Sequence, residues 1–130
     1  MTWFQVDDGF GEHPKVEALG SDSAIALAVW LLCGTACARS LTDGVVSVPM
    51  LARAASAISP LQRRKAVSAL VRVGLWVERD DGWAFKDWLE WQMSRDEVLH
   101  KRALSAERQR KRRMENLEKT FSDVTHLVTP

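Results

Sequence analysis

Cysteine and histidine are too scarce in this chain for the chemistries that depend on them. Cys33 and Cys37 are the only cysteines, and His13, His100 and His126 the only histidines. The cysteines stand four apart in an apolar helical run, so they share a face and point the same way, which suits a disulfide poorly. With no second cysteine pair and with histidines in unrelated segments, zinc has little support. No nucleophile–base pair can be assembled either. Cys33 and Cys37 read as small buried hydrophobes of a reducing cytosol.

Other signatures are missing too. There is no phosphate-cradling glycine loop, no Gly-x-Ser-x-Gly elbow and no His-Glu-x-x-His. Met-Thr-Trp-Phe-Gln-Val-Asp-Asp lacks the basic-then-apolar order of a signal peptide. The longest apolar run, Ala24 to Ala38, is short for a membrane span and contains Gly34 and Thr35. Asp7, Asp8, Glu12 and His13 are each explained by turn and cap chemistry without a metal. Repeats and low-complexity tracts are absent. The expectation is a cytoplasmic non-enzyme with no cofactor, no metal, no small-molecule substrate and no membrane partner.

The 130 residues suffice for one domain plus an extension. A formal net charge of +1 conceals an uneven distribution. From Lys101 to Arg113, seven basic residues face only Glu107, a local +6, so the remainder carries −5. A basic element on a neutral-to-acidic body suits a polyanionic partner.

The most informative stretch runs from Ser59 to Asp87. Ser59 is a good N-cap, Pro60 fits the first helical position, and Gly74 suits the left-handed residue that ends a helix. At 100° per residue, Ala66, Val67, Leu70, Val71, Val73 and Gly74 share a core-facing side. Lys65, Ser68 and Arg72 lie opposite, flanked by Gln62, Arg64 and Ala69. Arg63 falls at the core edge, where its stem packs or its head meets an acid. Two short strands follow around Asp80-Asp81-Gly82. A three-residue loop, Asp80 to Gly82, sets Val77 against Phe85 and turns Leu75, Val77 and Phe85 inward. In that register Arg79 and Trp83 meet at the outer end.

Upstream, Trp3 to Val6 reads as a short extended segment, Asp7-Asp8-Gly9 as a turn, and His13-Pro14 as the opening of a short helix through Leu19. Ser21 to Ser23 caps a central buried helix to about Arg39. Thr42-Asp43-Gly44 is a turn. Val45-Val46-Ser47 is a strand able to pair with the hairpin, and Pro49 opens a helix over Met50 to Ala57. Helix, strand, helix, tight turn, helix, strand, wing, strand is winged helix-turn-helix order. The fold class expected is mainly α with a small β-hairpin wing, plus a C-terminal helical extension. The boundaries expected are 1–93 for the winged domain, 94–119 for a basic helix and 120–130 for a flexible tail.

Six tryptophans with no tyrosine is a skew. Trp88, Trp91 and Met93 form an apolar linker that packs on the domain or, alternatively, offers a binding ledge. Ser94 to Glu97 is a capping box. In the helix that follows, Val98, Leu99, Ala103, Leu104 and Ala106 give a weak apolar face. Arg110 and Arg113 then interrupt the seam before Met114, Leu117 and Phe121, which argues against a strong dimeric zipper.

Taken together, Trp3-Phe4-Gln5-Val6-Asp7-Asp8-Gly9-Phe10, His13-Pro14-Lys15-Val16, Leu41-Thr42-Asp43-Gly44, Gly74-Leu75-Trp76 and Asp81-Gly82-Trp83-Ala84-Phe85-Lys86-Asp87-Trp88 resemble a known family. It is the N-terminal domain of small actinobacterial phage and prophage proteins described as helix-turn-helix or replication-initiation-like. The similarity covers most of Met1 to Arg113. Members often carry a longer polar tail, so any second domain that such members use to contact a helicase or another replication protein is not expected within this sequence. The resemblance implies no catalytic residues.

The function expected is binding of double-stranded DNA in replication initiation or its control. Gln62, Arg64, Lys65, Ser68 and Arg72 would face the major groove, with Arg79 as the wing's contribution. Lys101, Arg102, Arg108, Arg110, Lys111, Arg112 and Arg113 would neutralise phosphates. Asp80 and Asp81 at the wing tip oppose close approach to phosphate there. The alternative is a replisome or transcription adaptor that docks through the winged domain and the Trp88/Trp91 linker. An arginine-rich helix that binds RNA is a third reading. A replication protein or a second copy of the chain is a further possible partner.

Overall fold

The computed structural model describes the backbone of residues 2–128 and the side chains of residues 2–124. It divides into two compact units, Met1–Arg95 and Asp96–Pro130.

In the first unit, α1 (Pro14–Glu17), α2 (Ser23–Ser40), β1 (Val45–Ser47), α3 (Val48–Ala54), α4 (Pro60–Val73), β2 (Trp76–Arg79), β3 (Gly82–Phe85) and α5 (Trp88–Trp91) follow in order. Short 3-10 turns precede α1 and α2. The unit is thus mostly helical with one small antiparallel sheet in the order β1-β3-β2. The strand at Val45 does join the hairpin as a third member, as its sequence suggests.

α2 is the central helix. Ala26, Val29, Cys33, Ala36 and Cys37 lie in the core with Leu19, Val46, Leu70, Trp76 and Phe85. Small residues dominate its buried positions, so α4 and the sheet approach its backbone closely. With the turn before it, Gly20–Ser40 spans 21 residues, long and apolar enough by composition to cross a membrane. That is longer than the apolar run counted in the sequence, but Val29, Cys33 and Cys37 are wholly enclosed by protein. Burial from water pushes the Cys33 thiol up to about 12, with neighbouring Cys37 adding to the effect. Burial also raises the Cys37 thiol.

Two sequence expectations are corrected by the backbone. The hairpin turns on two residues, Asp80-Asp81, and pairs Trp76 with Phe85, Val77 with Ala84, Glu78 with Trp83 and Arg79 with Gly82. Trp76 therefore faces inward at 1% exposure while Val77 is exposed, the reverse of the expected alternation. Gly82 explains the difference. It sits opposite Ser47 with φ +153, and a Cβ there would collide with the Val46 carbonyl oxygen, so glycine serves strand approach and not the turn. Secondly, α3 begins at Val48, capped by Ser47 Oγ accepting from Met50 N–H at 3.2 Å. It ends at Ala54, three residues before the expected stop. Trp3 to Val6 joins neither helix nor sheet. Phe4 folds onto α2, stacking on Trp88 and packing against Trp30. Gly34 makes room for it, since a Cβ at that position would strike the Phe4 ring.

The second unit consists of α6 (Arg95–Val128), which starts in the last residue of the first unit. The Arg95 N–H donates to Asp43 Oδ1 at 2.6 Å. The helix continues beyond residue 119 through Val128, into the segment expected to be a flexible tail. No glycine or proline occurs between Arg95 and Val128, and Glu107–Lys111 and Glu115–Lys119 have the i, i+4 spacing that supports a helix. Residues 129 and 130, the end of that expected tail, lie outside the described residues.

Candidate nucleic-acid interface

α4 is held at both ends. Ser59 Oγ accepts from the Gln62 N–H at 3.3 Å, with Pro60 in the first turn. At the other end Gly74, φ 83, returns its N–H to Leu70 and Val71 carbonyls. Lys15 Nζ donates to the Gly74 carbonyl at 3.2 Å and fixes that corner from outside the helix. Arg63, expected at the core edge with its stem packed or its head on an acid, is half-buried, and its guanidinium meets backbone. Its Nη1 donates to the carbonyls of Ala55 at 3.2 Å and Ala52 at 3.5 Å, where α3 ends; Ala55 also accepts from the Ile58 N–H at 3.0 Å. Arg63 thereby locks the turn between the two helices.

Against this support, Ala66, Val67, Ala69 and Leu70 are buried, while Gln62, Arg64, Lys65 and Ser68 are exposed. Ala69, expected on a flank, is in the core at 1% exposure, because neighbours close over its side as well. The outward face has no acid anywhere in the helix's 14 residues. Gln62 to Ser68 spans about 9 Å at 1.5 Å per residue. That fits within a major groove roughly 12 Å wide.

Two of the expected cations are engaged locally. Arg72 lies 3.7 Å from the Asp22 carboxylate and donates to the Leu19 carbonyl at 3.5 Å, although its side chain remains 56% exposed. It is bent toward the 3-10 turn before α2 and not aimed straight outward. Arg79 pairs with Asp81 at 3.8 Å across the hairpin turn. The hairpin tip therefore carries Asp80, together with an arginine whose charge is already matched.

The basic residues Lys101, Arg102, Arg108, Arg110, Lys111, Arg112 and Arg113 are all exposed along α6, in a unit described separately from α4. Arg53, left out of the sequence-based set, is exposed in the last turn of α3. In the helical repeat it falls beside Met50 and away from Leu51 and Ala54, and that was the available signal.

A second feature of the first unit is an aromatic cleft of about 130 Å³. Phe4, Phe10, Trp30, Phe85, Trp88 and Trp91 line it. Phe10 stacks on Trp30 at 4.3 Å and 17°. Gln5 and Gln92 bridge its rim, the Gln5 N–H donating at 2.8 Å and the Gln92 amide returning a bond at 2.6 Å. Trp88 is buried, as expected for a linker packed on the domain, but Trp91 is 56% exposed. Only Trp88 and Trp91 of this set stood out in the sequence. Phe4 and Phe10 reach the cleft by a chain reversal that local patterning does not reveal.

Comparisons with protein-family models, with curated proteins and with solved structures return no match for this chain.

Proposed function

We propose that this chain is a winged-helix protein that binds double-stranded DNA, with α4 in the major groove and the basic stretch of α6 on phosphates. The observation that carries this reading is the acid-free outward face of α4, on a helix capped at both ends and tied to α3 through Arg63. A recognition helix needs cations and amides presented without internal neutralisation, on a support that does not yield when the groove is entered. The element order, with β1 added to the hairpin, supports the winged-helix assignment. A role in phage or prophage replication initiation or its control rests on the sequence resemblance alone. Gln62, Arg64, Lys65 and Ser68 read bases in this scheme, Arg53 and the α6 cations hold phosphates, and Arg72 contributes when it leaves Asp22.

The test is binding of a labelled duplex, a single strand and an RNA duplex by the full chain over a range of salt. Coverage of four to six phosphates gives a log–log slope of roughly −4 to −5 for duplex DNA. A slope near zero, or equal affinity for all three ligands, overturns the reading.

The aromatic cleft favours one alternative, a protein-docking adaptor. Its volume is close to that of an engineered cavity of about 150 Å³ that holds benzene, and well below the roughly 300 Å³ at which small-molecule sites begin. A single aromatic side chain of a partner protein is therefore the ligand it suits. An adaptor of this kind tolerates charge reversal at Arg110 and Arg112, whereas DNA binding does not.

A further inference from the structure

Charge on α6 is sorted by side. At 100° per residue, Lys101, Arg108, Arg112 and Lys119 fall within about 20° of one line along the helix. The line is about 27 Å long at 1.5 Å per residue. Between Val98 and Ser122 no other residue comes so close to it. All four side chains are exposed. Among the described residues none of the four is held in an ion pair or hydrogen bond, unlike Arg72 and Arg79. The five acids from Asp96 to Glu118 all lie in one arc of about 100° on a single flank, and Asp123, one turn past Lys119, ends the row. Arg108 and Arg112 are like charges one turn apart, which destabilises an isolated helix. The helix's own stability therefore does not account for the row.

We infer that these four cations form a single line of phosphate contacts, along which α6 lies against the outside of a duplex without entering a groove. The contact rests on the duplex reading given under Proposed function. A helix inside a groove has a phosphate strand on either flank and needs cations on both. On α6 the flank next to Arg108 carries Glu107, Glu115 and Glu118, which a strand there would repel. Two rods side by side touch along a line, and a narrow row of charge matches that contact. A duplex presents one negative charge per about 1.7 Å of its axis, so each cation of the row has phosphates within reach of its long stem. Arg110 stands about 180° from the row, and Lys111 about 80° from it, among the acids. Lys119 thus joins the phosphate contacts, and Arg110 and Lys111 leave them.

Salt titration of the full chain against a labelled duplex tests the line, because each lost phosphate contact reduces the magnitude of the log–log slope by about 0.9. Arg108→Gln/Arg112→Gln and Lys101→Gln/Lys119→Gln are each expected to reduce it by about 2. The reduction is the same on two unrelated duplex sequences, since phosphates carry no sequence information. Arg110→Gln/Lys111→Gln removes the same net charge and is expected to reduce the slope by less than about 0.5. Glutamine preserves helix propensity. Arg108→Lys/Arg112→Lys retains both charges and is expected to keep the parent slope.

Equal losses from the on-row and off-row pairs overturn the line of contact, as does a parent slope in both on-row glutamine variants. A slope that falls as far in the lysine variant reports a change of fold and removes Arg108 and Arg112 from the row. If Arg64→Gln weakens binding while the on-row pairs do nothing, the row fails and α4 keeps its place in the groove. If the on-row pairs act while Arg64→Gln binds as the parent does, α4 leaves the groove and the row stands. A chain that binds no duplex removes both.

Discussion

The guanidinium of Arg72 stands 3.7 Å from the carboxylate of Asp22, joining the last turn of α4 to the 3-10 turn that leads into α2. The two residues are fifty positions apart, and both side chains are partly open to solvent. An ion pair so placed contributes at most about 1 kcal/mol to stability. Its larger effect is on where the arginine points. Asp22→Asn releases Arg72 from a competing anion and leaves the fold within about 0.5 kcal/mol of the parent. Duplex affinity is expected to rise about threefold at about 100 mM salt, with the salt slope steeper by up to about 1. A fluorescence titration at several salt concentrations reads both quantities, and an affinity that falls would assign Asp22 a positive role in binding.

Gly82 supplies a sharper test of the sheet. A Cβ at this position would collide with the Val46 carbonyl oxygen and crowd Ser47, on backbone that has no freedom to step aside. Gly82→Ala should cost about 2–4 kcal/mol, through strain and the loss of β1–β3 pairing. Gly11, with nothing within 4 Å of its own Cβ position, provides the control, and Gly11→Ala should stay within about 0.5 kcal/mol. Urea denaturation of both variants measures the contrast. Equal stability would mean that β1 does not lie against Gly82.

The difficulty of Gly82 also shows what the sequence could convey. A glycine next to Asp80-Asp81 has the same local signature whether it closes a turn or admits a neighbouring strand. Only the position of β1, thirty-five residues upstream, decides between them. The limits of α4 were legible because Ser59, Pro60 and Gly74 act within a few residues of themselves, and the exposed set Gln62, Arg64, Lys65 and Ser68 follows from periodicity once those limits are known. Arg63, Arg72 and Arg79 were not legible to the same degree. Each carries the charge expected of an interface residue, and each is drawn to a partner that tertiary structure brings near: the carbonyls ending α3, Asp22, and Asp81. Phe4 belongs with them, since the cleft it completes depends on the space above Gly34.

The cysteines predict a pH dependence. Burial raises both thiols in the folded chain, Cys33 to about 12 against an ordinary value of 9.0. An acid whose folded value is raised keeps its full contribution to stability below its unfolded value and loses it as pH climbs toward the folded one. Stability should therefore decline from about pH 9 upward, and Cys33→Ala should flatten that decline while costing stability at neutral pH through lost packing. Neither thiol should react with a thiol reagent at pH 8 until denaturant is added. Rapid native labelling would place the cysteines outside the core.

The two tryptophans of α5 separate packing from docking. Trp88, 6% exposed, touches Phe4 and Phe85, with ring centroids 5.7 Å and 5.2 Å away. Trp88→Ala should cost about 3–5 kcal/mol. Trp91, more than half exposed, should cost under about 0.5 kcal/mol when replaced by alanine. If a partner protein inserts a side chain into the cleft, Trp91→Ala weakens that association selectively. An unaltered affinity for a captured partner would remove the cleft from the adaptor reading.

Arg63 and Arg64 are neighbours in the chain with opposite duties, and a matched pair of substitutions distinguishes them. Arg63 donates to two carbonyls at the end of α3, and Ala55 keeps the Ile58 N–H without it, so Arg63→Gln removes the tie between α3 and α4 and should destabilise the fold by about 1 kcal/mol. Arg64 is exposed on the acid-free face with no partner among the described contacts, so Arg64→Gln should leave stability within about 0.5 kcal/mol. On the proposed DNA-binding reading, its effect is on duplex affinity. Losing a bidentate contact to guanine weakens duplex binding by about 1–3 kcal/mol, roughly five- to hundredfold, and relaxes preference at one base position. Thermal denaturation and a duplex titration on the two variants give four numbers. The expected pattern is a stability loss confined to Arg63→Gln and a specific affinity loss at Arg64→Gln. Were Arg64→Gln to bind duplex as tightly as the parent, α4 would not be the element in the groove.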